Sequence, residues 1–187
     1  NHRDSKGNQV ALLKKPGAVP GFCAGTGLNF DLGTANFRVT GSDLSLDSGK
    51  TSGTLVFEYQ GDGKTLRRTY TFYHDSYKVD LVDEATGFPE YWISVGADFG
   101  VVEKDSSAHI GPILLTGSDL KDLKQDKLKE PAVFTKDVKW IAQEDKYFAA
   151  AIVPATAVEE TRAWTMGETP LIALKAAPGT NRFTLFA

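Results

Sequence analysis

Along most of the chain apolar and polar residues alternate with period two, the pattern of strands that bury one face and wet the other. In residues 54–60, Leu55, Phe57 and Tyr59 fall on one side, while Val56, Glu58 and Gln60 fall on the other. Gly61-Asp62-Gly63 follows, and then residues 65–73 set Leu66, Tyr70 and Phe72 against Arg67, Thr69 and Thr71. Two alternating runs joined by a Gly-Asp-Gly turn predict a β-hairpin. Residues 77–82 alternate Tyr77, Val79 and Leu81 with Lys78, Asp80 and Val82, and after a turn at Ala85–Pro89 the run 91–99 aligns Tyr91, Ile93, Val95, Ala97 and Phe99. Further strands are predicted at 8–13, 36–40, 110–115 (interrupted by Pro112), 138–142, 146–153, 170–175 and 182–187. Short strands punctuated by Gly, Pro, Asp and Ser favour an all-β, antiparallel β-sandwich over a parallel α/β design.

One stretch invites a helix. Residues 118–131 carry Leu120 and Leu123 at helical spacing, but Leu128 falls out of phase and no apolar stripe results. The segment is predicted to be an exposed, lysine-rich loop or edge strand, its charge protecting a sheet edge. Charges within the strands, such as Arg67, Arg68, Lys78 and Asp80, are expected on the exposed faces.

Composition narrows the function more than the fold. The 187 residues include 21 Lys+Arg and 24 Asp+Glu, for a net charge of −3, and 41% are hydrophobic. That describes one globular domain spanning residues 1–187, rich enough in Phe, Tyr and Trp to build a core. The balanced charge lacks the clustered cationic surplus that phosphate neutralisation requires, so a nucleic-acid partner is not expected. The longest uncharged stretch, residues 16–30, is broken by Pro16, Pro20 and several glycines and falls short of the roughly 20 apolar residues of a spanning helix. No leader is visible at the polar start, which reads as the cut end of a longer chain.

Candidate chemistry is sparse. Cys23, the single cysteine, has no charged sequence neighbour to activate it and is expected to be a packed thiol. With three scattered histidines it cannot supply the ligand set of a structural zinc, and neither metal nor cofactor is expected. His2 lies in the polar start, His74 at a predicted bend, and His109 before the Ile-Gly-Pro run. No nucleophile elbow, phosphate-binding loop or dinucleotide fingerprint occurs. Adjacent acids such as Glu159-Glu160 would point to opposite faces of a strand, unlike the convergent carboxylates of a glycosidase.

Residues 138–154, VKWIAQEDKYFAAAIVP, combine a Trp strand, a short polar turn, Lys-Tyr-Phe, small residues and a closing Pro. This resembles the large periplasmic domain of the YidC insertases, the bacterial branch of the YidC/Oxa/Alb family. Residues 65–82 are similar to that family's Arg-Thr-aromatic hairpin, and 109–115 to its Gly-Pro segment ahead of a lysine-rich stretch. The likeness runs from about residue 50 onward. Its motif residues are Trp140, Lys146, Tyr147, Phe148 and Pro154, for which structural roles are expected: Trp140 capping the sandwich interior, Tyr147 on the face of Ala149, Ala151 and Val153, small alanines permitting close sheet approach, and Pro154 ending the strand.

The resemblance implies a large sandwich shaped like the galactose mutarotases, on the periplasmic face of the bacterial inner membrane, lacking the family's first strands and its C-terminal helices. It implies a non-enzymatic accessory domain that docks client membrane proteins or translocon subunits and is not itself embedded in the membrane. The competing expectation is a mutarotase-like carbohydrate-active or carbohydrate-binding sandwich, with His109 and either Glu144 or Glu159 converging in an aromatic cleft. A generic periplasmic binding or adhesion sandwich is the third.

Overall fold

The computed structural model describes residues 22–41, 43–96, 111–123, 128–144, 149–167 and 169–186. Among them are fourteen strands and one turn of 3-10 helix, Asp31–Thr34. The strands are β1 (Ala24–Gly25), β2 (Arg38–Thr40), β3 (Ser52–Gly61), β4 (Lys64–Tyr73), β5 (Lys78–Thr86), β6 (Tyr91–Ser94) and β7 (Gly111–Thr116), followed by β8 (Asp119–Asp122), β9 (Ala132–Phe134), β10 (Val138–Glu144), β11 (Ala149–Pro154), β12 (Glu160–Met166), β13 (Thr169–Ala176) and β14 (Gly179–Phe186). They form a nine-stranded sheet, in the order β2-β3-β4-β5-β14-β11-β10-β7-β8, and a five-stranded sheet, β1-β6-β13-β12-β9. All pairings are antiparallel, as the alternation predicts.

The core lies between the sheets. Leu114, Ile141, Ile152 and Leu185 form one cross-strand row of the large sheet, all 3% exposed or less. Facing rows of the small sheet supply Ala24, Ile93 and Leu174, and Ala163 with Ile172. Each side chain buries apolar surface at roughly 25 cal/mol per Å², so these rows set which face of every strand turns inward. A smaller cluster of Cys23, Phe30, Trp92 and Ala173 covers the outer face of the small sheet, with Leu28 and Trp164 packed against it.

The hairpin at 61–63 forms as expected: Gly61 pairs with Lys64, and Asp62 and Gly63 both take positive φ, 52° and 72°. Those angles match the right-handed twist of the strands and belong to a two-residue hairpin turn. Residues 119–122 form the edge strand β8, exposed throughout, but Leu123 and Leu128 beside it are buried and join the core, which the helical phasing did not anticipate.

Other expectations are corrected. Arg68 is not on an exposed face; it shares the inner face of β4 with Leu66 and is 5% exposed. Tyr77 precedes β5 and projects into solvent, 86% exposed, so Leu81, Asp83 and Ala85 make that strand's buried face. Trp140 is half-buried and belongs to neither core cluster; a register shift between Val138 and Trp140 gives the interior positions to Val138 and Ile141. In β11 the buried positions are Ala150 and Ile152, while Ala149 is exposed. Strands β1, β9 and β12 were not predicted; in β12 only Thr161 and Ala163 are buried, too weak an apolar signal to stand out.

Candidate docking groove

Phe57 and Tyr70 are where the sandwich stops being closed. The inner-face residues of β3 never become fully buried, and toward its end β4 turns from buried (Leu66, Arg68) to half-buried (Tyr70, Phe72). The nine-stranded sheet therefore overhangs the smaller one, and the segment 22–37 crosses the overhang. Between them lies a groove of about 300 Å³, walled by Phe22, Phe37, Leu55, Phe57, Tyr70 and Phe72, with Cys23 and Arg68 also contributing. The rings are arranged edge-to-face (Phe57 with Tyr70, centroids 5.6 Å apart) and stacked (Tyr70 with Phe72, 6.2 Å), geometries that add to the apolar area they offer. A half-open aromatic wall is a surface for apolar groups of a partner.

Its floor is fixed by a buried charge network. Arg68 Nε and Nη2 donate to the two carboxylate oxygens of Asp83, each at 2.8 Å, and Nη1 donates to the Phe22 carbonyl at 2.6 Å. Tyr91 O–H donates to the same Asp83 carboxylate from the small sheet. Asp83 and Tyr91 are fully buried. The Arg68–Asp83 pair thus ties three pieces together: strands β4 and β5, the small sheet through the Tyr91 hydroxyl on Asp83, and the crossing segment through the Phe22 carbonyl on Arg68. Burial by itself would lower the Arg68 pKa, but its neighbours, the Asp83 carboxylate foremost, together outweigh it and hold the guanidinium charged, well above its ordinary range. Tyr91 is pushed well above its ordinary value, first by burial and then by Asp83, and remains a neutral donor.

Cys23 is buried and free. Burial raises its pKa to about 12 despite the nearby Arg68 charge, so at neutral pH it is a packed thiol with no nucleophilic character.

On the outer face of the same hairpin a second depression, about 600 Å³, is polar. Here Arg38, Glu58, Arg67 and Glu84 form one cross-strand row of alternating charge over β2, β3, β4 and β5. The contacts are Arg38 Nη2 to Glu58 at 2.6 Å, Arg67 Nε to Glu58 at 3.5 Å and Arg67 Nη1 to Glu84 at 3.2 Å. The hydrogen bond from Arg38, more than any other cause, lowers the Glu58 pKa.

Of the residues singled out in the sequence, Trp140 lies half-buried in β10 and Pro154 closes β11 opposite Phe183. Lys146, Tyr147 and Phe148 lie outside the described residues, as do His2 and His109, so the pairing of His109 with Glu144 or Glu159 has no placement. His74 is exposed at the β4–β5 bend, its backbone N–H donating to Thr51. Among the described residues no group of three or more His, Cys, Asp or Glu is placed to hold a metal, and no helix is long and apolar enough to cross a membrane. The groove residues were not read as a site. The available signal was parity: Arg68 alternates with Leu66 and Tyr70, and Asp83 with Leu81 and Ala85, so both charges sit on apolar faces.

Comparison with known proteins adds the lineage. The model of the YidC periplasmic domain family matches residues 1–177. The chain is 28% identical over 137 residues to the membrane protein insertase YidC of Cupriavidus metallidurans, covering 66% of this chain and 24% of that protein. It is 27% identical over 128 residues to that of Syntrophus aciditrophicus, covering 63% and 23%. The chain therefore spans about a quarter of the length of these curated relatives. Among solved structures, the α-galactosidase AgaA of Geobacillus stearothermophilus is similar at a TM-score of 0.47 and 11% identity, over 81% of this chain and 27% of that one. The galactosidase domain of the α-galactosidase-sucrose kinase AgaSK is similar at 0.47 and 9%, with the same coverage.

Proposed function

Because this chain belongs to the YidC periplasmic domain family, we propose that it serves a membrane protein insertase as a non-enzymatic docking module, binding apolar stretches of client polypeptides or translocon subunits at the periplasmic face of the inner membrane. The observation that carries this reading is the aromatic groove at the overhang, where Phe57, Tyr70 and Phe72 stay half-open instead of closing into the core. An apolar surface of that kind gains free energy when a partner covers it. Its floor is rigid, because Arg68 is held by Asp83 and Phe22 and cannot swing out to pair with another group. The groove therefore discriminates by shape and apolarity. Its volume of about 300 Å³ suits a few side chains of an extended segment, while a complete membrane-spanning helix is far larger.

The test uses the full-length insertase with this domain deleted and the flanking chain rejoined, in cells depleted of the native protein. Insertion of small single-span clients is expected to persist while association with translocon partners weakens. Complete loss of insertion at normal abundance of the truncated protein would make the domain part of the insertion machinery itself and overturn the docking reading.

A further inference from the structure

Strand β2 ends the nine-stranded sheet, and it is short: three residues cover a ten-residue neighbour, with Arg38 opposite Glu58, Val39 opposite Phe57 and Thr40 opposite Val56. All three residues of β2 are exposed, and no strand among the described residues pairs with its outer side. An open edge of this kind is a template for another strand. Two features give this one a chemical preference.

On the inner face, Val39 is directly opposite Phe57, a wall residue of the groove, and is 52% exposed. Phe37, two residues earlier and on the same face by alternation, also lines the groove. An added strand would continue that wall, its inward side chains packing beside Val39 and Phe37. On the outer face, the row Glu84, Arg67, Glu58, Arg38 alternates in sign and stops at a cation. The Arg38 side chain is 78% exposed even with Glu58 bound, so the next position in the row would receive its guanidinium. Opposite charges directly across a ladder stabilise pairing, and like charges oppose it.

We propose that the β2 edge binds an extended polypeptide by strand addition, and that the preferred partner alternates apolar residues with an acidic residue set opposite Arg38. Main-chain hydrogen bonds along the edge supply affinity, while the groove rim and Arg38 select the side chains. This rests on the docking role proposed above and specifies the chemistry of its partner. The mode also fits the groove's size, since an extended strand delivers one side chain to the inner face at every second residue.

The probes are two end-blocked, fluorescently labelled octapeptides, one alternating Val with Glu and the other Val with Lys, titrated by anisotropy against the full chain. The Glu peptide is expected to bind about threefold to tenfold tighter than the Lys peptide. Arg38→Glu should invert that preference, and Arg38→Ala should level it with the fold intact by circular dichroism. Amide exchange at residues 38–40 should slow when the Glu peptide is bound. Absence of binding by either peptide, equal affinity for both, or protection elsewhere with residues 38–40 unchanged would overturn the proposal. Failure of the peptides alongside weakened partner assembly in the domain deletion would sink the edge and leave docking standing. Charge-selective binding alongside an inert deletion would do the reverse.

Discussion

Arg68 and Asp83 stand directly opposite each other on β4 and β5, joined by two parallel hydrogen bonds of 2.8 Å in the interior of the sandwich. A buried charge loses several kcal/mol of hydration, which is recovered only when every donor and acceptor is placed. Here Tyr91 and the Phe22 carbonyl complete the set, so the pair holds the two sheets and the crossing segment in one arrangement and shapes the groove above it. Replacing Asp83 with Asn, or Arg68 with Met, should cost about 3 to 5 kcal/mol, because each leaves an unpaired charge or polar group buried. The double replacement Arg68→Met with Asp83→Leu should recover part of that loss. Urea unfolding of the three variants checks it, and additive losses would contradict the coupling.

The thiol of Cys23 governs part of the alkaline limb. Its pKa rises from the usual 9.0 to about 12 on folding, so the folded state holds the proton more tightly than the unfolded one. The contribution is fully present below pH 9, and declines as pH rises toward about 12. Cys23→Ala should therefore flatten the loss of stability over that window, measured by denaturant unfolding at stepped pH. In the native chain the thiol should resist alkylation by iodoacetamide at pH 8 until the chain unfolds.

Gly87 and Gly167 separate two costs of adding a methyl group. Both have positive φ, 79° and 63°. At Gly87 a Cβ would lie 2.2 Å from the Gly63 carbonyl oxygen, at the tip of the β3–β4 hairpin, whereas at Gly167 nothing among the described residues lies within 4 Å. Gly167→Ala should cost only the left-handed conformation, about 1 kcal/mol. Gly87→Ala should cost clearly more, because the hairpin tip must move as well. Thermal unfolding of both variants gives the comparison, and equal losses would contradict the clash.

Groove variants should separate binding from stability. Phe57 and Phe72 are half-buried, so Phe57→Ser or Phe72→Ser forfeits less burial than a core truncation, which costs about 3 to 5 kcal/mol. Each should nonetheless weaken crosslinking to apolar client segments several-fold in the full-length insertase. Unchanged crosslinking at normal abundance would remove the groove from the docking role.

The strands themselves were legible in the sequence. Alternation in residues 54–60 and 65–73 reflects a local rule, that successive side chains leave a strand on opposite faces, and the positive φ of Asp62 and Gly63 is a local demand met by those residue types. The charge of residues 118–131 left an exposed loop and an edge strand both open, and the structure makes residues 119–122 an edge strand. Trp140 and Arg68 were misjudged because their surroundings are not local. A register shift beside Trp140 displaces the parity that would have pointed it inward. Arg68 carries a charge that, on its own, belongs in water; only Asp83 fifteen residues later, Tyr91 on the other sheet and the Phe22 carbonyl make its burial favourable. The groove is further still from the sequence. Leu55, Phe57, Tyr70 and Phe72 read as ordinary core residues, and they are half-open only because a nine-stranded sheet faces a five-stranded one and extends past it. Periodicity decides which face of a strand is apolar, but whether that face is covered depends on how many strands lie opposite, and that is a property of the assembled sheets.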